Sequence, residues 1–333
     1  MKKIRLAISA GDYNGIGPEI ILKSLADSAL QEICEYSISG TEAIFQKTFD
    51  SFSPSLRNQL SQSLEFTTGR LLHTRQIQSV DLSGWNPGQP SRVSGGAAYV
   101  FLEEAFNLWQ RGGCDCIVTA PVMKETFFPE GQDFSGQTEL IAHMAGSGKP
   151  LMIMVAGRVR IALVTTHIPV RAISGFITVE MITEKGTLLF ESLKRDFGID
   201  NPAIAVSALN PHAGESGKFG DEEKVAIYPA LERLKTLDAV WSGPHPADSL
   251  FMRSRIEQYD GILALYHDQG LIPFKMYSER KGVNFTAGLP VVRTSPDHGT
   301  AMDIAGKGIA EAGSFKEALY LAVRTAQRRI AHG

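Results

Sequence analysis

Hydrophobic residues in this chain fall into short apolar runs that alternate with longer amphipathic runs. IRLAIS at 4–9 and GILALY at 261–266 predict buried strands, and GGAAYVFLEEAFNLWQRG at 95–112 has the periodicity of a helix. Further strands are predicted at 114–120, 150–157, 160–166 and 202–209, and further helices at 18–27, 178–198, 221–236 and 314–331. This alternation, with strands that are apolar throughout, predicts an α/β fold whose mainly parallel sheets are covered on both faces.

Composition narrows the class of protein. The 333 residues suffice for two packed lobes, and a net charge of −3 gives no sign of a nucleic-acid partner. No apolar run approaches the ~20 residues of a membrane helix, and the start MKKIRLAIS is interpreted as a first strand rather than a signal peptide. The three cysteines, Cys34, Cys114 and Cys116, do not have the spacing of zinc-binding pairs. We therefore expect reduced thiols in a cytoplasmic protein.

A histidine follows each of three predicted strands. His167 comes after RIALVTT, His212 after PAIAVSAL and His267 after GILALY. The carboxyl ends of strands are where open α/β sheets bind ligands, and three converging imidazoles can hold a divalent metal with one position open. Alternatively, these are three unrelated turn histidines with local hydrogen bonds. His245 is among the histidines that are not predicted to share this strand-end position.

Positively charged and amide side chains follow the third histidine. Lys275, Asn284 in GVNFTAG and Arg293 in LPVVRTS together suit a phosphate monoester, although scattered surface charge is the alternative. The glycine-rich segment GDYNGIGPE at 11–19 is typical either of an anion-binding turn or of a tight connection between a strand and a helix.

Motifs along nearly the whole chain resemble one family. They are GDYNGIGPE, TAPVMKE, SGQTEL, THIPVRA, LNPHAGE, GPHPADSLF, YHDQGLIPFK and GVNFTAGLPVVRTSPDHGTAMDIAG. Together they resemble the PdxA family of 4-hydroxythreonine-4-phosphate dehydrogenases, and LNPHAGE with YHDQG is the most specific combination. The resemblance implies a two-lobe fold like that of isocitrate and isopropylmalate dehydrogenases, a homodimer, NAD, and a divalent metal such as zinc, magnesium or cobalt.

The two lobes implied by the resemblance are expected to be discontinuous in sequence. The first lobe is predicted over 1–130 plus 300–333. The second is predicted over 131–299 and would carry the metal and phosphate residues, with the active site in the cleft between the lobes.

The resemblance implies a metal centre that is shared between subunits. His167 and His212 of one subunit would bind the ion together with His267 of the other. Asp248 in PADSLF and Asp268 are candidates to orient these histidines, because carboxylates commonly hold the second ring nitrogen of a metal-bound histidine.

Substrate contacts are implied at five positions. The family's contacts fall on Thr138, Lys275, Asn284 and Arg293. The biosynthetic members have Gly-His-Thr-Glu where this chain has a glutamine, Gln137, in place of the histidine. Glutamine can donate and accept hydrogen bonds but cannot become a cation near neutral pH, so the substitution leaves the exact substrate open.

The segment DHGTAMDIAGKGIA at 297–310 resembles the loop of isopropylmalate dehydrogenases that holds the adenosine part of NAD. A negative charge at that end would disfavour the 2′-phosphate of NADP. The start of a helix, with its aspartate on a polar face, is the alternative interpretation of this segment. The residues placed at the cofactor by this resemblance are His298, Gly299, Thr300, Ala301 and Asp303.

The function expected on this basis is NAD-dependent, metal-dependent oxidation and decarboxylation of 4-hydroxythreonine 4-phosphate in pyridoxal phosphate biosynthesis. The same chemistry on threonate or erythronate 4-phosphate is one alternative. A metal-dependent phosphate hydrolase and a non-catalytic relative that binds phosphorylated acids are the others. No membrane partner is expected.

Overall fold

The structure, a computed structural model, describes residues 3–61, 80–128, 134, 136–148 and 150–332. Its strands are β1 (Ile4–Ser9), β2 (Cys34–Ser39), β3 (Cys116–Thr119), β4 (Leu151–Ala156), β5 (Val159–Leu163), β6 (Ala203–Ser207), β7 (Val240–His245), β8 (Gly261–Ala264), β9 (Val283–Ala287) and β10 (Val292–Pro296). Its α-helices are α1 (Gly17–Leu25), α2 (Ser28–Ile33), α3 (Glu42–Asp50), α4 (Arg92–Gln110), α5 (Lys124–Phe127), α6 (Gln137–Met144), α7 (Ile173–Phe176), α8 (Val179–Arg195), α9 (Tyr228–Leu234), α10 (Ala247–Leu250), α11 (Arg253–Ile256), α12 (His267–Ser278) and α13 (Gly313–His332). Within this described part, no helix is long and apolar enough to cross a membrane.

Two compact units make up the chain, and their limits differ from the predicted ones. The first unit is Met1–Gly146 with Leu289–Gln327, and the second is Ser147–Gly288 with Arg328–Gly333. Helix α6 belongs to the first unit because its Leu140 and Ile141 join the core there. Strand β10 belongs to it because Val292 pairs with Cys116 of β3. Both elements were expected in the second lobe.

The first unit is built on the strand order β2-β1-β3-β10, in which every neighbouring pair is parallel. Strand β3 is buried along its whole length, as is typical of a strand covered on both faces. The long helix α4 packs Phe101, Leu102 and Ala105 into the interior of this unit. Its Ser91 caps the helix by accepting a hydrogen bond from the N–H of Ser94 at 3.0 Å.

The second unit has the strand order β9-β4-β5-β8-β6-β7. Strand β4 is antiparallel to both β9 and β5, whereas β5, β8, β6 and β7 run parallel to one another. The core beneath these strands contains Ile161, Leu163, Ile262 and Phe274. The predicted α/β class with mainly parallel sheets is therefore confirmed, with one antiparallel hairpin at β4 and β5.

Helix α8 shows how local sequence signals set the limits of an element. Thr178 caps it by accepting a hydrogen bond from the N–H of Met181 at 3.2 Å. Gly198, just beyond its end, has φ +67°, a left-handed conformation that favours glycine. The predicted helix at 178–198 is therefore present, and its last turn ends at Arg195.

The helix predicted over 221–236 is not a single α-helix. A π-helical turn at Glu223–Ile227 precedes α9. Pro229, in the first turn of α9, has no N–H to donate to the carbonyl oxygen of Val225, so the regular hydrogen-bond ladder cannot continue through it. A wider turn accommodates that missing bond.

A carboxylate is fully buried at the end of α8. Asp196 accepts hydrogen bonds from Arg195 at 2.9 Å, Arg329 at 2.7 Å and Ser192 at 2.7 Å. Although burial opposes its charge, these partners hold the pKa of Asp196 below its usual value. Within the second unit, the interaction ties Arg329, in the last turn of α13, to the end of α8.

The three cysteines are unpaired, in agreement with the predicted reduced thiols, and all three are buried. Burial raises the pKa of Cys34 to about 11 and that of Cys114 to about 12. Cys116, on the central strand β3, is fully buried, and its pKa is raised by the same cause.

Replacing the buried carboxylate should destabilise the protein in a pH-dependent way. Asp196→Asn leaves Arg329 without its ionic partner, and we expect a loss of about 2–4 kcal/mol at neutral pH. Because the folded-state pKa of Asp196 is lowered, the stabilisation is complete above the unfolded-state pKa of about 4 and is lost as the pH falls through the folded value. Urea unfolding between pH 2 and pH 7 measures this difference.

Asp238→Asn is the matched control. Asp238 pairs with Lys194 at 3.8 Å but is 85% exposed, so its loss should change stability by less than about 0.5 kcal/mol at any pH. Equal effects of the two substitutions would contradict a stabilising role for the buried carboxylate.

Candidate functional site

His167 and His267 lie side by side in the second unit. His267 opens α12 directly after β8, and His167 follows β5, which pairs with β8 in parallel. Their ring centroids are 5.9 Å apart. Two imidazoles that bind one zinc ion through nitrogens about 2.0–2.1 Å from the metal have centroids about 5–6 Å apart. The spacing of the two rings is therefore compatible with one shared ion.

The carboxylate of Asp268 fixes one nitrogen of the second ring. The Nδ1 atom of His267 is 2.7 Å from Oδ1 of Asp268. The nitrogen that Asp268 does not contact is Nε2, and a carboxylate on one ring nitrogen is the arrangement found at metal-bound histidines. The contact is the one that the predicted role of Asp268 requires.

His212 lies on a loop with an unusual backbone. His212, Ala213, Glu215 and Ser216 have φ between 40° and 59°, and Gly214 between them has φ 76°. Left-handed conformation costs about 1–2 kcal/mol for each non-glycine residue, so other contacts must hold this loop. Within the described residues, no group of three or more His, Cys, Asp or Glu side chains is placed to hold a metal ion. His212 of one chain is therefore not assembled with the other two histidines.

The segment after β8 is a helix rather than the turn that its glycine suggests. Gly270 lies in the first turn of α12, where an added Cβ would come within 2.7 Å of Leu163 and 3.0 Å of Ile161. The absence of a side chain thus lets the start of α12 pack closely on β5. This packing brings His267 next to the residues that follow β5.

His245 is a fourth histidine at a strand end, which sequence reasoning missed. It is the last residue of β7, and its Nε2 atom lies 3.0 Å from Oγ of Ser242 and 3.5 Å from the hydroxyl of Tyr259. Burial lowers the pKa of His245, and Arg255 adds to the effect. The strand signal was weak because β7 contains Gly243 and Pro244.

The other site residues predicted in this unit differ in their exposure to solvent. Asp248 is exposed in the short helix α10 and has no hydrogen bond to a histidine within the described residues. Lys275 is exposed on α12. Asn284 lies in β9, and its Oδ1 atom is buried with no hydrogen-bond partner among the described residues.

Arg293 is a buried cation in the first unit. It donates hydrogen bonds to the hydroxyl of Thr138 at 3.0 Å and to that of Thr119 at 2.7 Å. Burial lowers the pKa of Arg293 to about 10, and the negative charge of Glu139 partly opposes this. Thr119 and Glu139 were not predicted, although both lie in motifs, TAPVMKE and SGQTEL, that the sequence contains.

Gln137 opens helix α6 beside Thr138. Its Nε2 atom donates to the carbonyl oxygen of Ala120 at 3.2 Å. Because a carbonyl can only accept, this bond fixes which end of the amide carries the nitrogen. The other end, Oε1, is buried and has no hydrogen-bond partner among the described residues. Among the described residues, this acceptor is therefore left without a donor.

The segment at 297–310 is a series of turns, and the helix considered for it begins only at Gly313. The carbonyl oxygen of Thr300 accepts a hydrogen bond from the N–H of Ile16 at 2.9 Å, so the loop is attached to the GDYNGIGPE turn. Asp303 is exposed, and its backbone carbonyl accepts from Nζ of Lys307 at 2.7 Å. The Nε2 atom of His298 is buried without a partner in the described part of the chain.

These features define an α/β protein of two sheet-based units. Histidines lie at strand ends in the second unit and a buried arginine lies in the first, and such groups form metal- and anion-binding sites. The family model described as pyridoxal phosphate biosynthetic protein PdxA matches residues 32–322. The chain belongs to this family, which confirms the resemblance seen in its motifs.

Similar proteins agree over nearly the full length. The 4-hydroxythreonine-4-phosphate dehydrogenase of Bacteroides thetaiotaomicron is 44% identical, with 98% of this chain and 90% of the relative covered. That of Synechocystis sp. is 39% identical, with 98% and 96% covered. The crystal structure of the 4-hydroxythreonine-4-phosphate dehydrogenase from Klebsiella pneumoniae is 33% identical with a TM-score of 0.82, and 98% of this chain and 100% of that chain are covered.

An added methyl group at Gly270 should weaken the packing on β5 of α12, the helix that begins at His267. We expect Gly270→Ala to cost about 1–3 kcal/mol, because the new Cβ overlaps Leu163. Gly175→Ala is the control in the same unit, since Gly175 lies in α7 and no atom comes within 4 Å of its added Cβ. Thermal unfolding of both variants measures the difference, and equal midpoints would contradict the close packing of α12 on β5.

Proposed function

We propose that this chain catalyses the NAD-dependent oxidation and decarboxylation of 4-hydroxythreonine 4-phosphate in pyridoxal phosphate biosynthesis. The observation that carries the proposal is the pairing of His167 with His267 in a chain 44% identical to a 4-hydroxythreonine-4-phosphate dehydrogenase. Oxidation of the C3 hydroxyl gives a β-keto acid, and such acids lose carbon dioxide readily.

The residues present fit a divalent metal. His167 and His267 would each supply a ring nitrogen, and Asp268 would keep the proton of His267 on Nδ1 so that Nε2 faces the ion. An ion there would polarise the C3 hydroxyl and stabilise the negative charge that develops on oxygen. Among zinc, cobalt and magnesium, imidazole ligands favour zinc or cobalt, because magnesium prefers oxygen.

The third imidazole would come from a second copy of the chain. His212 is not grouped with the other two histidines within the described residues of one chain. The resemblance implies that His267 comes from the partner subunit, but His267 lies beside His167 in the same chain. We therefore propose His212 of the partner subunit as the third ligand instead. An exposed face of α12 supports a dimer, since Ile272 is 60% and Met276 79% exposed. Lys275 lies between them on the same face and would enter the partner's site. A twofold dimer would form two such sites.

The phosphate group would contact Arg293, Thr138, Lys275 and Asn284. The best support is Arg293, whose fully buried guanidinium bonds to the hydroxyls of Thr138 and Thr119. Burial disfavours its charge, and a phosphate dianion would offset that cost through a charge-assisted hydrogen bond. Asn284 is partly buried, and its buried Oδ1 atom has no partner among the described residues. The role of Asp248 stays a prediction, because its exposed position gives no further support.

The buried acceptor of Gln137, which has no donor among the described residues, supports an amino acid as the substrate. With Nε2 bonded to the carbonyl of Ala120, the buried Oε1 atom needs a donor. The ammonium group of 4-hydroxythreonine 4-phosphate is such a donor, and a charge-assisted bond is stronger than one from a neutral hydroxyl. Threonate or erythronate 4-phosphate, which has a hydroxyl at C2, would make the weaker bond.

NAD would bind at the loop containing His298, Gly299, Thr300, Ala301 and Asp303. The buried Nε2 atom of His298 lacks a partner in the described chain, and an added Cβ at Gly299 would meet no atom within 4 Å. Lys307 is the cation closest in sequence, and its bond to the backbone of Asp303 draws it away from a 2′-phosphate. We therefore propose NAD rather than NADP. The unpaired thiols support a cytoplasmic location.

The proposal is tested by NADH formation with 4-hydroxythreonine, threonate and erythronate 4-phosphates after chelation and metal replacement. We expect activity only with metal and NAD, and highest kcat/KM with 4-hydroxythreonine 4-phosphate. Release of inorganic phosphate without NADH would indicate a metal-dependent hydrolase. Substrate binding without turnover would indicate a non-catalytic relative. Each of these two outcomes would contradict the proposed dehydrogenase activity.

Replacing Gln137 should change the preference between substrates. Gln137→Met keeps the size of the side chain but removes the acceptor. We expect the ratio of kcat/KM for the amino acid to that for erythronate 4-phosphate to fall about tenfold, the difference of about 1.4 kcal/mol between a charge-assisted and a neutral hydrogen bond. Glu125→Gln, an exposed change on α5, should leave the ratio unchanged. An unaltered ratio in Gln137→Met would show that Gln137 does not contact the C2 substituent.

A further inference from the structure

Gln269 links two of the histidine-bearing segments from within the fold. Its Oε1 atom accepts a hydrogen bond from the N–H of Leu265, at the end of β8, at 2.7 Å. Its Nε2 atom donates to the carbonyl oxygen of Ala208, just after β6, at 2.7 Å. The side chain is only 7% exposed. One buried amide therefore sets the spacing between the segment leading to His267 and the segment leading to His212.

Glu223 holds the loop of His212 from the other side. Its Oε1 atom accepts from the backbone N–H groups of Leu209 at 2.9 Å and Asn210 at 2.7 Å. Its Oε2 atom accepts from the side-chain amide of Asn210 at 2.9 Å. Glu223 is 3% exposed and comes from the π-helical turn. Three hydrogen bonds to one carboxylate thus fix the two residues just before Pro211 and His212.

A third buried side chain joins the remaining pair of segments. The hydroxyl of Thr165 donates to the carbonyl oxygen of Leu265 at 2.8 Å. Thr165 lies two residues before His167, and Leu265 lies two residues before His267. Each of the three histidine-bearing segments is therefore tied to another by a buried polar side chain close to the strand ends.

These contacts support the unfavourable left-handed backbone of the His212 loop. Several consecutive residues with positive φ are unfavourable without support. Glu223 and Gln269 supply hydrogen bonds to the backbone immediately before this run. Strained backbone and π-helical turns both occur preferentially at functional sites, and here both flank the same histidine.

We propose that Gln269 and Glu223 are positioning residues that hold His212 at a fixed offset from the His167–His267 pair. The inference rests on the metal centre proposed above. In a twofold dimer the two chains have the same structure. A displacement of His212 in each chain would therefore affect both metal sites equally. Neither side chain is proposed to touch the metal or the substrate.

Titration of the metal-free protein with Co²⁺, followed by visible absorption, tests the proposal. Gln269→Glu keeps the oxygen that accepts from Leu265 but places a second oxygen beside the carbonyl oxygen of Ala208, where two acceptors repel. Glu223→Gln places an amide nitrogen beside the side-chain amide nitrogen of Asn210, where two donors repel. We expect either variant to bind Co²⁺ 10- to 100-fold more weakly, with an altered absorption spectrum, as when residues supporting metal ligands are replaced. Size-exclusion chromatography checks that the variants keep the oligomeric state of the wild type.

Asp196→Asn is the matched control. It removes another buried, hydrogen-bonded carboxylate of the second unit, which lies at the end of α8, before β6, and not after a strand as the three histidines do. It should lower the melting temperature and leave the Kd for Co²⁺ within twofold of the wild type. Should Gln269→Glu not fold, Gln269→Met removes the same two hydrogen bonds without adding a charge.

The outcomes separate this inference from the proposed metal centre. A wild-type protein that binds no Co²⁺, or one whose His167→Ala variant binds it unchanged, would overturn both. Wild-type binding that needs the histidines, together with unchanged Kd and spectrum in the folded Gln269 and Glu223 variants, would overturn the positioning role alone.

Discussion

Parallel hydrogen bonding among β5, β8 and β6 is the constraint on which the candidate metal centre depends. Leu163 of β5 is level with Ala264 of β8, and Leu263 is level with Val206 of β6. Because the three strands run in one direction, the segments that follow them leave from the same edge of the sheet. The register therefore brings together histidines that are 100 residues apart in the chain, His167 and His267.

Sequence reasoning found the strand ends because apolar runs and their direction are local properties. It placed histidines after β5, β6 and β8 and a buried arginine within an apolar segment. It missed His245 because glycine and proline interrupt β7, and it missed the helix that starts at His267 because Gly270 indicates a turn. The separation of His212 from the pair depends on a left-handed loop. That loop is held by side chains distant in sequence, such as Gln269, and no local pattern reveals them.

Asp196 and Arg293, two of the buried charged side chains, differ in what surrounds them. Asp196 is matched by Arg195 and Arg329, so its charge is compensated within the fold. Arg293 is buried as deeply, and two of its hydrogen bonds go to the neutral hydroxyls of Thr138 and Thr119, while the negative charge of Glu139 favours its charged form. A carboxylate bonded to two arginines serves the structure, whereas a buried arginine bonded to hydroxyls can also bind a ligand of opposite charge. The contrast explains why Arg293, rather than Asp196, is the better candidate for substrate binding.

Burial of the three cysteines lowers their reactivity toward oxidants. With the pKa of Cys34 raised to about 11, on the order of one molecule in ten thousand carries the reactive thiolate at neutral pH. Peroxides and alkylating agents react with the thiolate, so these side chains are poor targets for them. The buried sulfur atoms are also inaccessible as ligands for zinc or copper ions in solution. A histidine centre in this protein would be loaded without competition from its own thiols.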